Sequence, residues 1–200
     1  MKTPLLIRTR IQVIPEGTPF TASMFFEAGA RAAVYQTLSR LVRAGEIQRV
    51  TRGIFVRPKE SRFVGKIPPS AHEIAEVVAR TSGGAIQING AEAAQRLGLS
   101  TQVPTKPVYY TTGKSSRFRV GQLEVTLKHV SPRKMALGAG PAGEALTALW
   151  YLGKKQVTPQ VIGQIKSRMP ADEYDVLKNA SALMPAWMAE SVRRYEKMHA

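Results

Sequence analysis

The fold of this chain is decided by residues 31–57, which read RAAVYQTLSRLVRAGEIQRVTRGIFVR. The first half carries apolar residues at helical spacing and predicts a helix from Arg31 to Ala44. The second half predicts a two-stranded hairpin with Thr51-Arg52-Gly53 at its turn, where glycine supplies a positive φ. A basic helix that runs directly into a basic hairpin is typical of a winged helix-turn-helix, and most such units bind DNA.

Two shorter helices are predicted ahead of this stretch. The first ends at Pro15-Glu16-Gly17, and the second, over residues 22–27, has Thr21 as its cap and Gly29 at its end. The face assigned to the first helix comprises Leu5, Leu6, Arg8, Ile11, Gln12 and Ile14. The third helix is expected to pack on both through Val34, Leu38, Leu41 and Val42.

That buried face leaves the polar side of the third helix exposed. Residues near the start of such a helix reach base edges, and Arg, Gln and Ser can bond these edges in the major groove. We expect base contacts from Arg31, Tyr35 and Gln36, and phosphate contacts from Ser39, Arg40 and Arg43. The alternative is a solvated basic surface, but such a surface normally intersperses acids, and none occurs between Glu27 and Glu46.

The predicted hairpin separates an apolar side from a polar side. Its apolar side is formed by Ile47, Val50, Ile54 and Val56. Arg52 at the turn would touch the minor groove or a phosphate, a contact that gives salt-dependent affinity and little sequence choice. The DNA contacts predicted for the hairpin and the residues after it are Gln48, Arg49, Arg52, Arg57 and Lys59.

The charge of the chain favours a polyanion as partner. Its 200 residues include 29 Lys and Arg against 14 Asp and Glu, which gives a formal charge of +15. Such a field attracts nucleic acid, although a basic surface can also serve solubility alone. No cysteine is present, which excludes a disulfide framework and thiolate zinc sites. Without a signal peptide or a stretch of about twenty apolar residues, we expect a cytoplasmic protein with no membrane partner.

Catalysis is not expected. Nucleases and nucleotidyltransferases hold Mg²⁺ with clustered carboxylates, and the only aspartates here are Asp172 and Asp175. They lie beside Glu173 near a predicted helix start, where acids suit the helix dipole. The three histidines show no ligand spacing, and the glycine-rich residues 138–143 lack the Lys-Ser/Thr of a phosphate-binding loop. The sequence therefore predicts no catalytic residue, no metal site and no cofactor.

The predicted fold class is α+β. A winged helix-turn-helix domain at residues 1–60 is followed by a linker at 61–69 and by an α+β domain at 70–200 with a helical C-terminal part. Ser70 and Glu73 form a capping box at the first helix of the second domain. Strands are predicted at residues 85–88, 108–112, 117–120 and 123–130, and helices at 71–80, 91–97, 141–152, 158–169, 172–180 and 185–198.

A second basic surface is predicted around the strands of this domain. Aromatic residues lie between its cations, an arrangement that suits phosphates or an acidic partner protein, while a merely solvated sheet face is the alternative. Its members are Lys106, Lys114, Arg117, Arg119, Lys128, Arg133 and Lys134. The apolar stripes of the C-terminal helices indicate a core or a dimer seam.

Two runs of sequence carry a resemblance to a known family. They are LSRLVRAGEI at residues 38–47 and RGIFVRPK at residues 52–59. With weaker matches at 89–100 and 104–113, they make about residues 1–135 similar to the AbiEi-like antitoxins of type IV (abortive infection) toxin–antitoxin systems. In that family the winged domain represses the antitoxin's own operon, and the second domain is tied to neutralising a nucleotidyltransferase-like toxin.

The predicted function is that of a sequence-specific DNA-binding transcriptional repressor that resembles such an antitoxin. Its expected partners are double-stranded operator DNA with inverted repeats and, by the resemblance, a nucleotidyltransferase-like toxin. It would act as a monomer or a homodimer. Two alternatives stay open at this point. One is a protein-interaction module whose basic second domain binds a partner toxin, and the other is a ligand-responsive winged-helix regulator with a pocket in its helical tail.

Overall fold

The structure is a computed structural model that describes residues 3–63, 65–102 and 104–199. Residues 1 and 2 of the predicted DNA-binding domain, residue 64 of the predicted linker, and residues 103 and 200 of the predicted second domain lie outside this description. The chain divides into two compact units. One runs to Gly83 and also takes in Arg117–Val125, and the other comprises Gly84–Ser116 and the residues from Thr126 onward. The fold class is α+β, as predicted.

The first unit alternates helices with short strands. Its elements up to Gly83 are α1 (Thr3–Gln12), β1 (Pro19–Thr21), a 3₁₀ segment (Ala22–Ala28), α2 (Arg31–Arg43), β2 (Gln48–Thr51), β3 (Ile54–Val56), β4 (Lys59–Ser61), β5 (Gly65–Ile67) and α3 (Ala71–Thr81). The first three strands form an antiparallel sheet in the order β1-β3-β2, and β4 pairs with β5. The helix predicted at residues 22–27 is therefore present in the tighter 3₁₀ form.

One core cluster joins these helical segments to the sheet. The rings of Phe20 and Phe25 lie edge to face with their centroids 5.8 Å apart, and Phe20 stacks on Phe55 at 6.1 Å. Aromatic pairs in such geometries add about 0.5–1.5 kcal/mol to the effect of burial. The other buried members are Ile7, Ile11, Ala22, Val34, Leu38, Leu41 and Ile47. α2 thus packs through the predicted stripe, since its buried apolar residues are one helical turn apart.

Two predictions for the start of this unit are wrong. α1 buries Ile7 and Ile11, whereas Leu5 is 57% exposed, so the core meets this helix along a narrow stripe and not along the broader face assigned from sequence. Thr21 does not cap the segment that follows it. Its hydroxyl instead pairs with the Ser23 hydroxyl, 2.7 Å away, a local hydrogen bond that competes with capping.

β3 is buried on both faces. Phe55 belongs to the core cluster, and alternation along the strand turns Ile54 and Val56 to the opposite face, where they are 4% and 2% exposed. The sequence predicts that Ile54 and Val56 form the one apolar side, and it leaves Phe55 unassigned. α3 packs on β1 and β3, which is why the face opposite Phe55 is also closed to water.

The residues after β3 continue the first unit. The predicted linker contains β5, which places Ile67 opposite Lys59 in the β4–β5 pair. α3 then begins with the predicted capping box: the Glu73 amide donates to the Ser70 hydroxyl at 3.2 Å, and the Glu73 carboxylate accepts from the Ser70 amide at 2.7 Å. The contacts group α3, predicted as the first element of the second domain, with the residues that precede it.

The chain from Gly84 onward combines a sheet with a helical cluster. Its elements are β6 (Ile86–Ile88), α4 (Gly90–Arg96), β7 (Val108–Thr111), β8 (Ser116–Val120), β9 (Leu123–His129), a 3₁₀ turn (Pro132–Met135), α5 (Pro141–Leu152), α6 (Pro159–Lys166), α7 (Ala171–Asn179), a 3₁₀ turn (Ser181–Leu183) and α8 (Ala186–Met198). The sheet has the order β6-β7-β9-β8, in which β7 is antiparallel to β6 and parallel to β9. The predicted strands and helices of this region are confirmed, with small shifts at their ends.

α5 is the central helix of the second unit. Most of its residues are buried, and it packs on α4 and α7, while α6 packs on α8. Pro141 and Pro159 stand in the first turns of their helices, where a missing amide costs nothing. Thr158 caps α6, since its hydroxyl accepts from the Val161 amide. The apolar stripes of the tail therefore form a core of this unit.

Candidate nucleic-acid interface

The exposed side of α2 carries all six residues that the sequence assigns to DNA on this helix. Because Val34, Leu38 and Leu41 are buried one turn apart, the positions between them face outward. The first turn of α2 has no acid, and Ala30 offers no side-chain cap, so amides at this helix start lack a capping side chain. The exposed residues are Arg31, Tyr35, Gln36, Ser39, Arg40 and Arg43.

α2 and the β2–β3 hairpin enclose a cleft of about 280 Å³. Its lining residues are Tyr35, Ser39, Val42 and Arg43 from α2, and Arg49, Gly53 and Phe55 from the hairpin. The structure thus brings together predicted DNA contacts from two separate elements. Two arginines and no acid line the cleft, so its field favours an anion.

The hairpin turn consists of Arg52 and Gly53. Thr51 pairs with Ile54 across it, and a register shift in β2 marks a bulge just before Thr51. Gly53 has a φ of +77°, which confirms the predicted need for glycine in the left-handed region. Arg52 is therefore exposed at the tip, as expected from sequence. The exposed polar residues of the hairpin are Gln48, Arg49 and Arg52.

Phe26 supports the start of α2, and the sequence did not assign it to the site. The guanidinium carbon of Arg31 lies 5.0 Å from the centroid of the Phe26 ring. The Tyr35 ring meets the same ring edge to face, with centroids 6.0 Å apart. The only signal in the sequence is an aromatic residue five positions before an arginine, across the turn at Gly29. The geometry of that turn decides which side of the 3₁₀ segment faces α2.

Arg57 has a different role from the other predicted contacts. Its Nη1 donates to the carbonyl oxygens of Gln12 at 2.9 Å and Ile14 at 2.7 Å, and its Nη2 lies 3.5 Å from a carboxylate oxygen of Glu16. The last carbonyls of a helix lack partners within it, and Arg57 supplies donors at the end of α1. Its side chain is thus engaged within the unit.

The surroundings of Arg57 are acidic. Glu16, Glu46 and Glu60 line a polar cleft together with Arg57. Lys59 is exposed on the neighbouring β4. The first unit therefore has a cleft without acids between α2 and the hairpin, and a different cleft that is rich in them. Contact of any of these residues with DNA stays a prediction.

The cations of the predicted second basic surface fall in both units. Arg117 and Arg119 lie in the first, and Lys106, Lys114, Lys128, Arg133 and Lys134 lie in the second. Arg133 donates from Nε and Nη2 to the carbonyl oxygens of Leu183 and Met184, at 2.8 and 2.6 Å. The ammonium of Lys134 lies 4.9 Å from the centroid of a Trp150 ring. These two side chains thus have partners inside the second unit.

Two of the three acids considered for a metal have partners of other kinds. Glu173 accepts a hydrogen bond from the Ala142 amide at 2.9 Å and so caps α5. The hydrogen bond from Lys178, 2.8 Å away, holds the pKa of Asp175 below its ordinary value. Within residues 3–63, 65–102 and 104–199, no three His, Asp or Glu side chains are grouped as a metal site requires. In the same residues, no helix combines the length and apolar character of a membrane span.

Similarity to known proteins identifies one family. No curated protein matches the chain. Among solved structures, a similar one is the crystal structure of the RV2827C protein from Mycobacterium tuberculosis, with 13% identity, a TM-score of 0.37, and coverage of 96% of this chain and 77% of that one. A likeness at this level shows neither a shared fold nor a shared function. The model of a family of unknown function, DUF6088, matches residues 6–175. The chain therefore belongs to the DUF6088 family.

Proposed function

We propose that the first unit contains a winged helix-turn-helix and that the protein is a sequence-specific DNA-binding transcriptional repressor. The order of elements supports this, because α1, β1, the 3₁₀ segment, α2, β2 and β3 follow one another and β3 lies between the other two strands. α2 is then the recognition helix, and the β2–β3 hairpin is the wing. The 3₁₀ segment takes the place of the helix that precedes recognition.

The cleft between α2 and the hairpin is the observation that carries the proposal. Arg43 and Arg49 line it without any acid, and Arg52 stands exposed at the hairpin tip. Phosphate contacts of this kind supply most of the salt-dependent affinity for DNA. Arg31 and Gln36, at the start of α2, are the side chains that would read base edges. One face of the unit thus offers both kinds of contact.

Fluorescence anisotropy with DNA from upstream of the gene for this protein, and with scrambled DNA of equal length, tests the proposal. The R31A/Q36A variant is expected to lose its preference for the upstream DNA, since each bidentate base contact contributes about 1–3 kcal/mol of discrimination. The R52A variant is expected to weaken binding to both DNAs and to reduce the slope of log K against log salt by about 0.9. R10A, the same charge change on an exposed residue of α1, is the control. Unchanged binding by both interface variants would refute the assignment.

The biological role that we propose is that of an antitoxin similar to the AbiEi-like proteins. The support is the residue pattern of two runs. Residues 38–47 cover the second half of α2 and its connection to the hairpin, and residues 52–59 cover the hairpin turn, β3 and the residues that follow it. The test uses a nucleotidyltransferase-like protein that is encoded by a neighbouring gene and that inhibits growth when it is expressed alone. Co-expression of the full chain is expected to restore growth. If R31A/Q36A restores growth as well as the wild type does, neutralisation depends on protein interaction more than on repression. If the wild type does not restore growth, the antitoxin role is refuted.

A cavity of about 380 Å³ favours a second candidate, the ligand-responsive regulator. It lies in the first unit, and Phe20, Met24 and Val77 give it an apolar lining beside the exposed Arg80, which suits an apolar carboxylate. The helical tail has a groove of about 330 Å³ that includes Met184. A rise in melting temperature with decanoate that is lost in R80A would support this candidate. No rise with decanoate would argue against an apolar carboxylate as the ligand of this cavity.

A further inference from the structure

Phe26 holds two side chains of the proposed recognition helix in place. Arg31 lies over its ring, with the guanidinium carbon 5.0 Å from the centroid. Tyr35, one turn later on α2, packs against the same ring at an interplanar angle of 63°. Arg31 forms no ion pair with the other residues that the structure describes. The aromatic contact is therefore what restrains its charged group.

An aromatic ring restrains a guanidinium without using its donors. The ring attracts the positive charge through its face, and the N–H groups of the planar fork stay free for other acceptors. A long side chain that is already limited to few conformers loses less entropy when it binds. The guanidinium of Arg31 is thus restrained in orientation, and its N–H donors stay available to a pair of acceptors outside the protein.

We infer that Phe26 positions Arg31 to read a guanine in the major groove. The inference rests on the proposed DNA-binding function. Guanine presents its O6 and N7 acceptors side by side on the major-groove edge, and this pair matches two donors of an arginine fork. Arg31 is the first residue of α2, the part of a recognition helix that reaches base edges. Phe26 is a positioning residue that acts through Arg31.

Arg31 differs from the other arginines of α2 in its aromatic support, and this difference favours a base, not a phosphate, as its partner. Among the arginines of α2, only Arg31 lies over a ring in the part of the chain that the structure describes. Phosphate oxygens accept donors from many directions, so Arg40 and Arg43 can bind them from flexible, exposed side chains. A base edge lies in one plane and requires the fork in that plane. Arg31, which the Phe26 ring supports at the start of α2, meets this requirement.

The test uses the full chain and an operator duplex selected from random DNA. Each guanine is replaced in turn by 7-deazaguanine, which lacks the N7 acceptor but still pairs with cytosine. For the wild type, replacement at one position in each bound site is expected to weaken binding roughly 5- to 100-fold. The same replacement is expected to change nothing for R31A, which has already lost the contact. R31K keeps the charge without the planar fork, so the weakening by 7-deazaguanine should be smaller than in the wild type.

Phe26 variants test the positioning role. F26Y keeps the ring and should discriminate like the wild type. F26L keeps an apolar side chain without the ring, so it should bind scrambled DNA normally and lose most of the discrimination at that guanine. L5M, at an exposed apolar position of α1, is the control. Circular dichroism confirms folding, and F26M replaces F26L in the comparison if F26L does not fold.

Two results would overturn the inference. One is the absence of any guanine whose replacement separates the wild type from R31A, and the other is full discrimination by the ring-less variant. In both results the wild type still binds its operator, so the proposed function stands. Absence of specific DNA binding by the wild type would remove the proposed function and this inference together.

Discussion

Arg57 and Arg52 are five residues apart in one basic run, and the structure uses them differently. Arg52 is exposed in the hairpin turn. Arg57 donates to the carbonyl oxygens of Gln12 and Ile14 at the end of α1. Their own neighbours in the sequence do not distinguish them. The partners of Arg57 lie more than forty residues away along the chain, and they decide its role.

R57A is expected to lower the free energy of unfolding by about 1–3 kcal/mol, because charge-assisted hydrogen bonds to two carbonyls are lost. Urea unfolding measures this loss. The salt dependence of DNA binding should keep the wild-type slope, since Arg57 is engaged by α1. R52A is the matched variant with the opposite expectation, an unchanged stability and a smaller slope. A smaller slope for R57A would show that this residue meets phosphate.

Ser70 and Glu73 give α3 a cap whose strength depends on pH. The hydrogen bond from the Ser70 hydroxyl, followed by that from its amide, holds the pKa of Glu73 below its ordinary value of 4.5. For a carboxyl with a lowered folded pKa, the stabilisation is present above pH 4.5 and is lost as the pH falls through the folded value. The cap should therefore matter most near neutral pH.

S70A is expected to lower the free energy of unfolding by about 1 kcal/mol at pH 7, in line with the loss of a helix cap. The loss should be smaller at pH 3, because a larger fraction of Glu73 is protonated there than at pH 7. Urea unfolding at the two pH values measures the difference. E73Q, which cannot titrate, should show a loss that changes little with pH. An equal loss for S70A at both values would contradict the charge-dependent part of the cap.

Between elements, one arginine joins α4 to α5. Arg96 donates from Nη2 to Glu92 at 2.7 Å and from Nη1 to Glu144 at 3.2 Å. Burial raises the pKa of Glu144 and outweighs the opposing effect of Arg96. A raised pKa means that the carboxylate of Glu144 costs stability as the pH rises, and Arg96 limits that cost.

R96Q is expected to lower the free energy of unfolding at pH 7.5 by about 1 kcal/mol, since two partly buried carboxylates then face each other without a cation. The loss should shrink at pH 5, because the pKa of Glu144 rises further without Arg96 and a larger fraction of this carboxyl is then uncharged than at pH 7.5. R194Q is the control, as Arg194 pairs with Glu190 on the open surface of α8. Urea unfolding checks both variants, and a loss that is constant between the two pH values would argue against this role of Glu144.

In the molecule as a whole, each of the two units has a core cluster of its own among the described residues. Leu38 lies in one and Leu177 in the other, and the side chains of both are fully buried. The clusters share no residue. The packing of α2 therefore depends on the first cluster, and the packing of α7 depends on the second.

L38A and L177A are each expected to lower the free energy of unfolding by about 2–5 kcal/mol, because each leaves a cavity in a core. L38A should also weaken DNA binding, since Leu38 is part of the stripe that fixes α2. L177A should bind DNA like the wild type at temperatures where it is folded. V176A, at the half-exposed neighbour of Leu177, is the control with little effect. Anisotropy and urea unfolding measure both quantities, and equal loss of DNA binding in L38A and L177A would contradict the separate roles.

Local patterns were sufficient for most elements and for part of the candidate site. The Ser70 capping box, the glycine turn at Gly53 and the buried stripe of α2 depend on residues a few positions apart, which is why they could be predicted. The face of α1 could not be predicted, because the core meets that helix along a stripe set by other elements. The burial of β3 on both faces depends on α3, which the sequence assigned to another domain.

The sequence by itself determined that the chain is α+β, that one side of α2 is exposed and basic, and that Arg52 stands at a turn. These properties follow from periodicity, charge and turn chemistry, which act over a few residues. Only the tertiary structure decided that Phe26 supports Arg31, that Arg57 binds the end of α1, and that α3 covers β3. Each of these depends on how elements approach one another in space. Packing brings side chains of different elements into contact, and their spacing along the chain does not indicate which of them will meet.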